Sequence, residues 1–225
     1  MQKRNDNYFI GITLPDELNR IVESERRWMR TNCGCSSGMK TAPHITLIPP
    51  FFSSFGDEYL RYIFSRFTFS SFSLHVSGHS SFGHRTIFVN VEKSKELGKL
   101  KDDITQILRK EKIEIKNEKN FNPHITIANR DIEEEYFIPS MEYLNDNKID
   151  ITFEVTSFML FTKKNYLWVN DEKNSVRFSC LCLELQRMQK QKQNLDCSHH
   201  IRHQHRGVRQ VHRDFYLSST PLFYY

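Results

Sequence analysis

Two short segments carry residues whose types and spacing suit chemistry on a phosphate. Ala42-Pro43-His44-Ile45-Thr46-Leu47-Ile48 and Asn122-Pro123-His124-Ile125-Thr126-Ile127-Ala128 share the run Pro-His-Ile-Thr, and the second follows the first after 80 residues. Side chains alternate between the faces of a strand, so His44 and Thr46 project one way and Ile45 and Leu47 the other; His124 and Thr126 repeat the pattern. Two such strands facing one cleft set an imidazole on either side of a bound group. Phosphodiester transfer without a metal needs that arrangement: one imidazole takes a proton from the attacking oxygen while the other gives one to the departing oxygen. Histidine suits both roles because its pKa lies near neutrality. The threonine hydroxyls donate to the non-bridging phosphoryl oxygens, where the transition state holds its charge. A single His-x-Thr in a half-buried strand is an ordinary polar-facing pair. Two copies, each preceded by Pro and each opening an apolar strand, mark His44, Thr46, His124 and Thr126 as the catalytic set.

These segments need elements to hold them. Tyr8–Leu14 is apolar and β-prone, and the Pro-Asp-Glu after it starts a helix over about Asp16–Arg30. The small-residue break TNCGCSSG then leads into the strand His44–Pro49, which Pro49 and Pro50 stop. A second helix fits Asp57–Phe67, and Ser71–Gly78 and Thr86–Glu92 alternate like antiparallel partners around a turn HSSFGHR. Lys95–Lys112 is amphipathic, with Leu97, Leu100, Ile104, Ile107 and Leu108 spaced by three and four. After the strand His124–Ala128 the chain reads as a hairpin of Ile149–Phe161 with Tyr166–Asn170, then a strand near Val176–Leu185. Strands and helices mix without a steady βαβα rhythm, which makes the fold class α+β.

The 225 residues allow one large domain with an appendage, and 18 Phe supply a core. The formal charge of +5 sits in the tail: Gln186–Tyr225 holds seven Lys or Arg against two Asp, and the preceding residues hold 25 charges of each sign. A neutral core fits a small substrate or an RNA end better than a long duplex. Residues 1–185 are expected to form the domain and residues 186–225 a basic, His-rich, largely disordered appendage. The N-terminal apolar run is broken by Pro15 and Asp16 and lacks a small-residue cleavage site, and no run approaches the length of a membrane span. Free thiols, a cytoplasmic location, no membrane partner and a monomer are the expectations.

The double His-x-Thr, the opening YFIGITLPDE and the segment SFGHRTIFVNVE before the amphipathic helix resemble the two-histidine (2H) phosphoesterases, which include the bacterial RNA 2',3'-cyclic phosphodiesterases also called 2'-5' RNA ligases. The resemblance spans about Tyr8–Leu185. It implies a bilobal fold whose two pseudo-symmetric antiparallel-sheet lobes enclose a central cleft. It also implies that His44 and His124 are acid and base in an order left open, that Thr46 and Thr126 hold the phosphate, and that no metal or other cofactor takes part. The implied reaction opens a 2',3'-cyclic phosphate at an RNA end or on a small nucleotide to a 2'-phosphate; its reverse joins RNA ends through a 2'-5' bond. The same motifs suit 2'-5'-linked oligonucleotides or cyclic nucleotide signals, since they see only the phosphate, and a non-catalytic RNA-binding module is the rival of another class.

Further candidates surround the motifs. Phe51 and Phe82 are placed to stack on a base, against a packing role for each, and Arg130 to reach a phosphate from the end of its strand. Tyr166, on the final hairpin, is the remaining candidate for substrate binding. His75, His79 and His84 lack compact ligand spacing and read as exposed loop histidines, and Cys33 and Cys35 assign no metal site.

Overall fold

The computed structural model describes residues 7–116, 120–164, 167–169 and 176–179. All of them lie in the first of the chain's two units, Met1–Leu181. Tyr166, the end of the expected last strand and the tail 186–225 lie outside the described residues.

The strands are β1 (Tyr8–Thr13), β2 (His44–Phe51), β3 (Phe72–Phe82), β4 (Thr86–Val91), β5 (His124–Asn129), β6 (Asp150–Val155), β7 (Ser157–Lys164), β8 (Leu167–Val169) and β9 (Val176–Ser179). Between them run helices α1 (Asp16–Cys33), α2 (Asp57–Phe64), α3 (Lys95–Lys110) and α4 (Glu134–Asp146). The sheet is antiparallel, ordered β6-β3-β4-β5-β2-β1-β7-β8, with β9 also on β7. This order is two matching halves: β2, β1 and β7 outward from the centre on one side, β5, β4 and β3 on the other. The pair Ile45–Ile125 joins them. Helix α1 packs on β5 of the opposite half and α3 packs on β2, so the helices cross the join. The expected α+β fold with two related sheet halves is what the chain adopts.

The two motif strands carry the alternation that their sequence predicts. Ile45, Leu47, Ile125 and Ile127 are buried in the core, while His44, Thr46, His124 and Thr126 keep partial exposure on the other face. Along α1 the apolar stripe Leu18, Val22, Met29 and Cys33 faces the same core.

Four local expectations change. The run Ile149–Phe161 is not one strand: Thr156 divides it, β6 pairs with β3, and β7 pairs with β1. These partners flank opposite ends of the strand order, so a single residue links the two flanks and draws the sheet round on itself. Helix α4 escapes sequence reading because Pro139 interrupts its interior and it buries only Phe137, Ser140 and Leu144. The turn expected over HSSFGHR shrinks, since β3 continues to Phe82 after a register shift between Val76 and His79. Gly78, at φ 60, supplies the left-handed residue that this bulge uses. Consequently His79 is not an exposed loop residue: its side chain is 1% exposed and meets the equally buried Glu25 at 3.1 Å.

The small-residue segment after α1 is anchored to the end of β5. Asp131 Oδ2 accepts from the backbone N–H groups of Ser36 and Ser37 at 2.7 and 2.6 Å, and its Oδ1 accepts from Ser37 Oγ at 2.6 Å. Gly38 lies so close to β5 that a Cβ would stand 2.2 Å from the Ile127 carbonyl oxygen. Burial alone would raise the Asp131 pKa, but the bonds from Ser37 and Ser36 outweigh it and hold the carboxyl below its ordinary value. A carboxyl lowered in this way stabilises the fold above its unfolded pKa, and the contribution is lost as pH falls through the folded value. Asp131→Asn should therefore lower the unfolding free energy by about 1 to 2 kcal/mol at pH 7. Denaturant titrations should show the gap between parent and variant closing on acidification below about 3.8, the ordinary value; a gap independent of pH would refute the charge-assisted anchor.

Candidate functional site

The join between β2 and β5 sets the geometry. With Ile45 opposite Ile125, antiparallel pairing faces His44 towards Thr126 and Thr46 towards His124, one step to either side. The two histidines are then diagonal neighbours on one face, about 7 to 8 Å apart by ordinary sheet spacing. A cavity of about 550 Å³ opens over them, lined by all four motif residues together with Arg26, Ser37, Phe82 and Asn129. The order of the chain thus brings together two segments that the sequence separates by 80 residues.

Both imidazoles are held in the same way. His44 Nδ1 lies 2.8 Å from the Ala42 carbonyl and His124 Nδ1 lies 2.8 Å from the Asn122 carbonyl. A carbonyl oxygen only accepts, so each Nδ1 carries hydrogen and, in the neutral ring, each Nε2 is the acceptor nitrogen. Rings bracket each histidine: Phe9 and Phe161 stand 4.7 and 5.2 Å from His44, and Phe82 and Phe88 stand 5.1 and 5.2 Å from His124. Such packing fixes ring orientation before any ligand arrives.

The electrostatics are not symmetric. Burial pushes the His44 pKa down to about 4, with the Arg26 charge and His124 acting in the same direction and the Ala42 bond opposing them. His44 is therefore neutral at pH 7 in the free protein. Arg26 comes from α1, is 3% exposed, and donates to the carbonyls of Thr41 and Thr126. Sequence reading missed it. The available signal was its place on the buried stripe of α1, four residues after Val22, where a charged side chain needs partners.

The other candidates divide. Phe82 borders the cavity and is 44% exposed, edge-on to His124. Phe51 does not reach the cavity: it is buried in the core against Tyr8, because it falls on the inward face at the end of β2. Arg130 is not among the lining residues; it sits at φ 66 where the chain leaves β5, with its backbone bonded to Arg85. Tyr166 lies outside the described residues. Cys33 and Cys35 are buried, and burial with the nearby Asp131 carboxylate raises the Cys35 thiol to about 12. Among the described residues no cluster of His, Cys, Asp and Glu fits a metal ion, and no helix is long and apolar enough to cross a membrane.

Comparison of fold and sequence finds known proteins that this chain resembles. Escherichia coli LigT, in a crystal structure with 3'-AMP, is 16% identical with a TM-score of 0.52, over 78% of this chain and 98% of its own. The Thermus thermophilus protein TT0787 is 16% identical with a TM-score of 0.51, over 77% of this chain and 97% of its own. At such identities the likeness speaks for the fold. No curated protein sequence matches the chain. The family model of the 2'-5' RNA ligase superfamily matches residues 15–166, a span that includes both His-x-Thr strands and most of the sheet they centre. With that match over more than half its length, the chain belongs to the 2'-5' RNA ligase superfamily of two-histidine phosphoesterases.

Proposed function

We propose that this protein hydrolyses 2',3'-cyclic phosphate at RNA ends or on small nucleotides, with His44 and His124 as base and acid and Thr46 and Thr126 holding the phosphate. One observation carries the reading: two imidazoles, each with Nδ1 committed to a backbone carbonyl at 2.8 Å, share one cavity with two threonines. A binding site for an anion has no need of two prepared proton-transfer groups. The cavity's volume of about 550 Å³ is in the range of small-molecule sites and suits a nucleotide or a chain terminus.

His44 is the base in this mechanism, since burial keeps it in the neutral state that a base needs. Its Nε2 takes a proton from water as the water oxygen forms a bond to phosphorus. The bond from phosphorus to the 3'-oxygen breaks, and His124 Nε2 gives its proton to that oxygen. One water is consumed, the product is a 2'-phosphate beside a free 3'-hydroxyl, and proton exchange with solvent restores both rings. Thr46 and Thr126 donate to the non-bridging oxygens. Phe82, exposed beside His124, is placed to stack on the base.

Hydrolysis of the four nucleoside 2',3'-cyclic monophosphates in EDTA, with the product phosphate located by NMR, tests the reading. His44→Ala and His124→Ala should each lower kcat/KM by about 100- to 10,000-fold. Absence of turnover in the parent on these and on cyclic-phosphate-ended oligonucleotides, with RNA binding that survives both substitutions, would leave a binding module instead. The acidic limb of kcat/KM should fall near pH 4, because that parameter reports the free protein and His44 loses its basic form only there. A limb near the ordinary 6.5 would remove His44 from the base role. Phe82→Ala should raise KM by about 5- to 150-fold with kcat nearly unchanged; an unchanged KM would assign Phe82 to packing against Phe88 alone.

A further inference from the structure

Arg26 is a cation withdrawn from water with only neutral acceptors. Its Nε and Nη2 donate to the Thr126 carbonyl at 2.9 and 2.6 Å, and its Nη1 donates to the Thr41 carbonyl at 2.8 Å. The Glu23 carboxylate, three residues earlier on α1, favours the charged form of Arg26 and offsets only part of the effect of burial, and the hydrogen-bond and ion-pair partners of the nearby α1 carboxylates are other residues. Glu23 pairs with Arg27 at 3.8 Å and accepts from Asn19, and Glu25 faces His79 at 3.1 Å. Among the described residues that line the cavity, Arg26 is the one Lys or Arg, and none is Asp or Glu. Burial lowers its pKa to about 10, so it stays charged at neutral pH. Burying a charge without a counter-charge is costly. Of the five N–H donors of a guanidinium, these bonds occupy three.

We propose that Arg26 anchors the anion in this cavity: its charge and remaining N–H donors receive a non-bridging oxygen of a phosphate ester, while its bonds to Thr41 and Thr126 hold the two histidine strands at one spacing. The ligand class rests on the phosphodiesterase reading; the residue and its place do not. A bound phosphate adds the directly bonded counter-charge that the two carbonyls do not supply, and the planar fork suits phosphate better than a single ammonium would. Anion binding also offsets the Arg26 charge felt by His44, so proton affinity at His44 rises when the site is filled.

Inorganic phosphate is the probe, added to the full-length protein with its arginine side chains ¹⁵N-labelled. Phosphate should shift the Arg26 Nε–H resonance of the parent. Arg26→Met should weaken phosphate binding about 10- to 100-fold, whereas Arg27→Met, one residue on and exposed, should leave it within about twofold. Arg26→Lys should recover part of the affinity, because it restores the charge without the two-carbonyl bridge. In the parent, the His44 titration followed by NMR should move upward on saturation with phosphate, because an anion in the cavity favours the charged imidazole; the Arg26 Nε–H shift and the partial rescue by lysine are the responses that a merely structural Arg26 would not give. An Arg26 signal unmoved at the highest soluble phosphate concentration, or a folded Arg26→Met that binds phosphate like the parent, overturns the proposal. Should Arg26→Met fail to fold, the parent resonance decides alone. Phosphate binding needs no turnover, so a protein that binds phosphate through Arg26 yet hydrolyses no cyclic phosphate would refute the hydrolase reading and leave this one standing.

Discussion

The cavity depends on one register, Ile45 opposite Ile125 across the join of β2 and β5. A slip of one residue would turn either histidine into the core and bring an isoleucine to the cavity face, because strand side chains alternate with a period of two. The burial of Ile45 and Leu47 on β2 and of Ile125 and Ile127 on β5 resists such a slip, since it would expose the two large apolar side chains of whichever strand moved. One bridging pair is a narrow connection for two sheet halves. Helices α1 and α3 reinforce it by packing on the half opposite to the one their own strands begin.

Around that register the protein builds near-symmetry and then breaks it. Each histidine has the same carbonyl bond at Nδ1 and two aromatic neighbours, so the backbone and core treat the two rings alike. The difference comes from the environment beyond the rings. Burial depresses His44, and α1 adds Arg26, whose charge acts in the same sense. The His44 imidazole is thereby held in its neutral form by its surroundings rather than by any feature of its own motif.

Buried polar groups on α1 tie this asymmetry to the rest of the fold. Glu25 reaches His79 on β3, the strand that ends in Phe82, and Arg26 reaches β5 and the approach to β2. Glu25 Oε1 and His79 Nδ1 have no protein partner, so this contact is incompletely satisfied where the helix meets the sheet. The anchor from Asp131 to Ser36 and Ser37 ties the segment after α1 to the end of β5. These contacts are polar and join residues far apart in the chain, and helical periodicity does not reveal them.

The sequence by itself determined the elements that speak through local pattern. The alternation in His44–Ile48 and His124–Ala128 specified strands with the histidines and threonines on one face, and the spacing of Leu97, Leu100, Ile104 and Leu108 specified α3. Repetition of Pro-His-Ile-Thr identified four of the cavity's residues before any partner strand was known. Tertiary structure decided whatever depended on a distant neighbour. Thr156 divides an apolar run because β3 and β1 each claim one half of it; His79 is buried because Glu25 meets it; Phe51 serves the core because its end of β2 faces Tyr8. Arg26 belongs to the cavity because the Thr41 and Thr126 carbonyls converge on it. Local pattern records which face of an element is apolar, whereas pairing, burial of charge and shifts in proton affinity arise from groups far apart in the chain, and only the packed sheet brings those together.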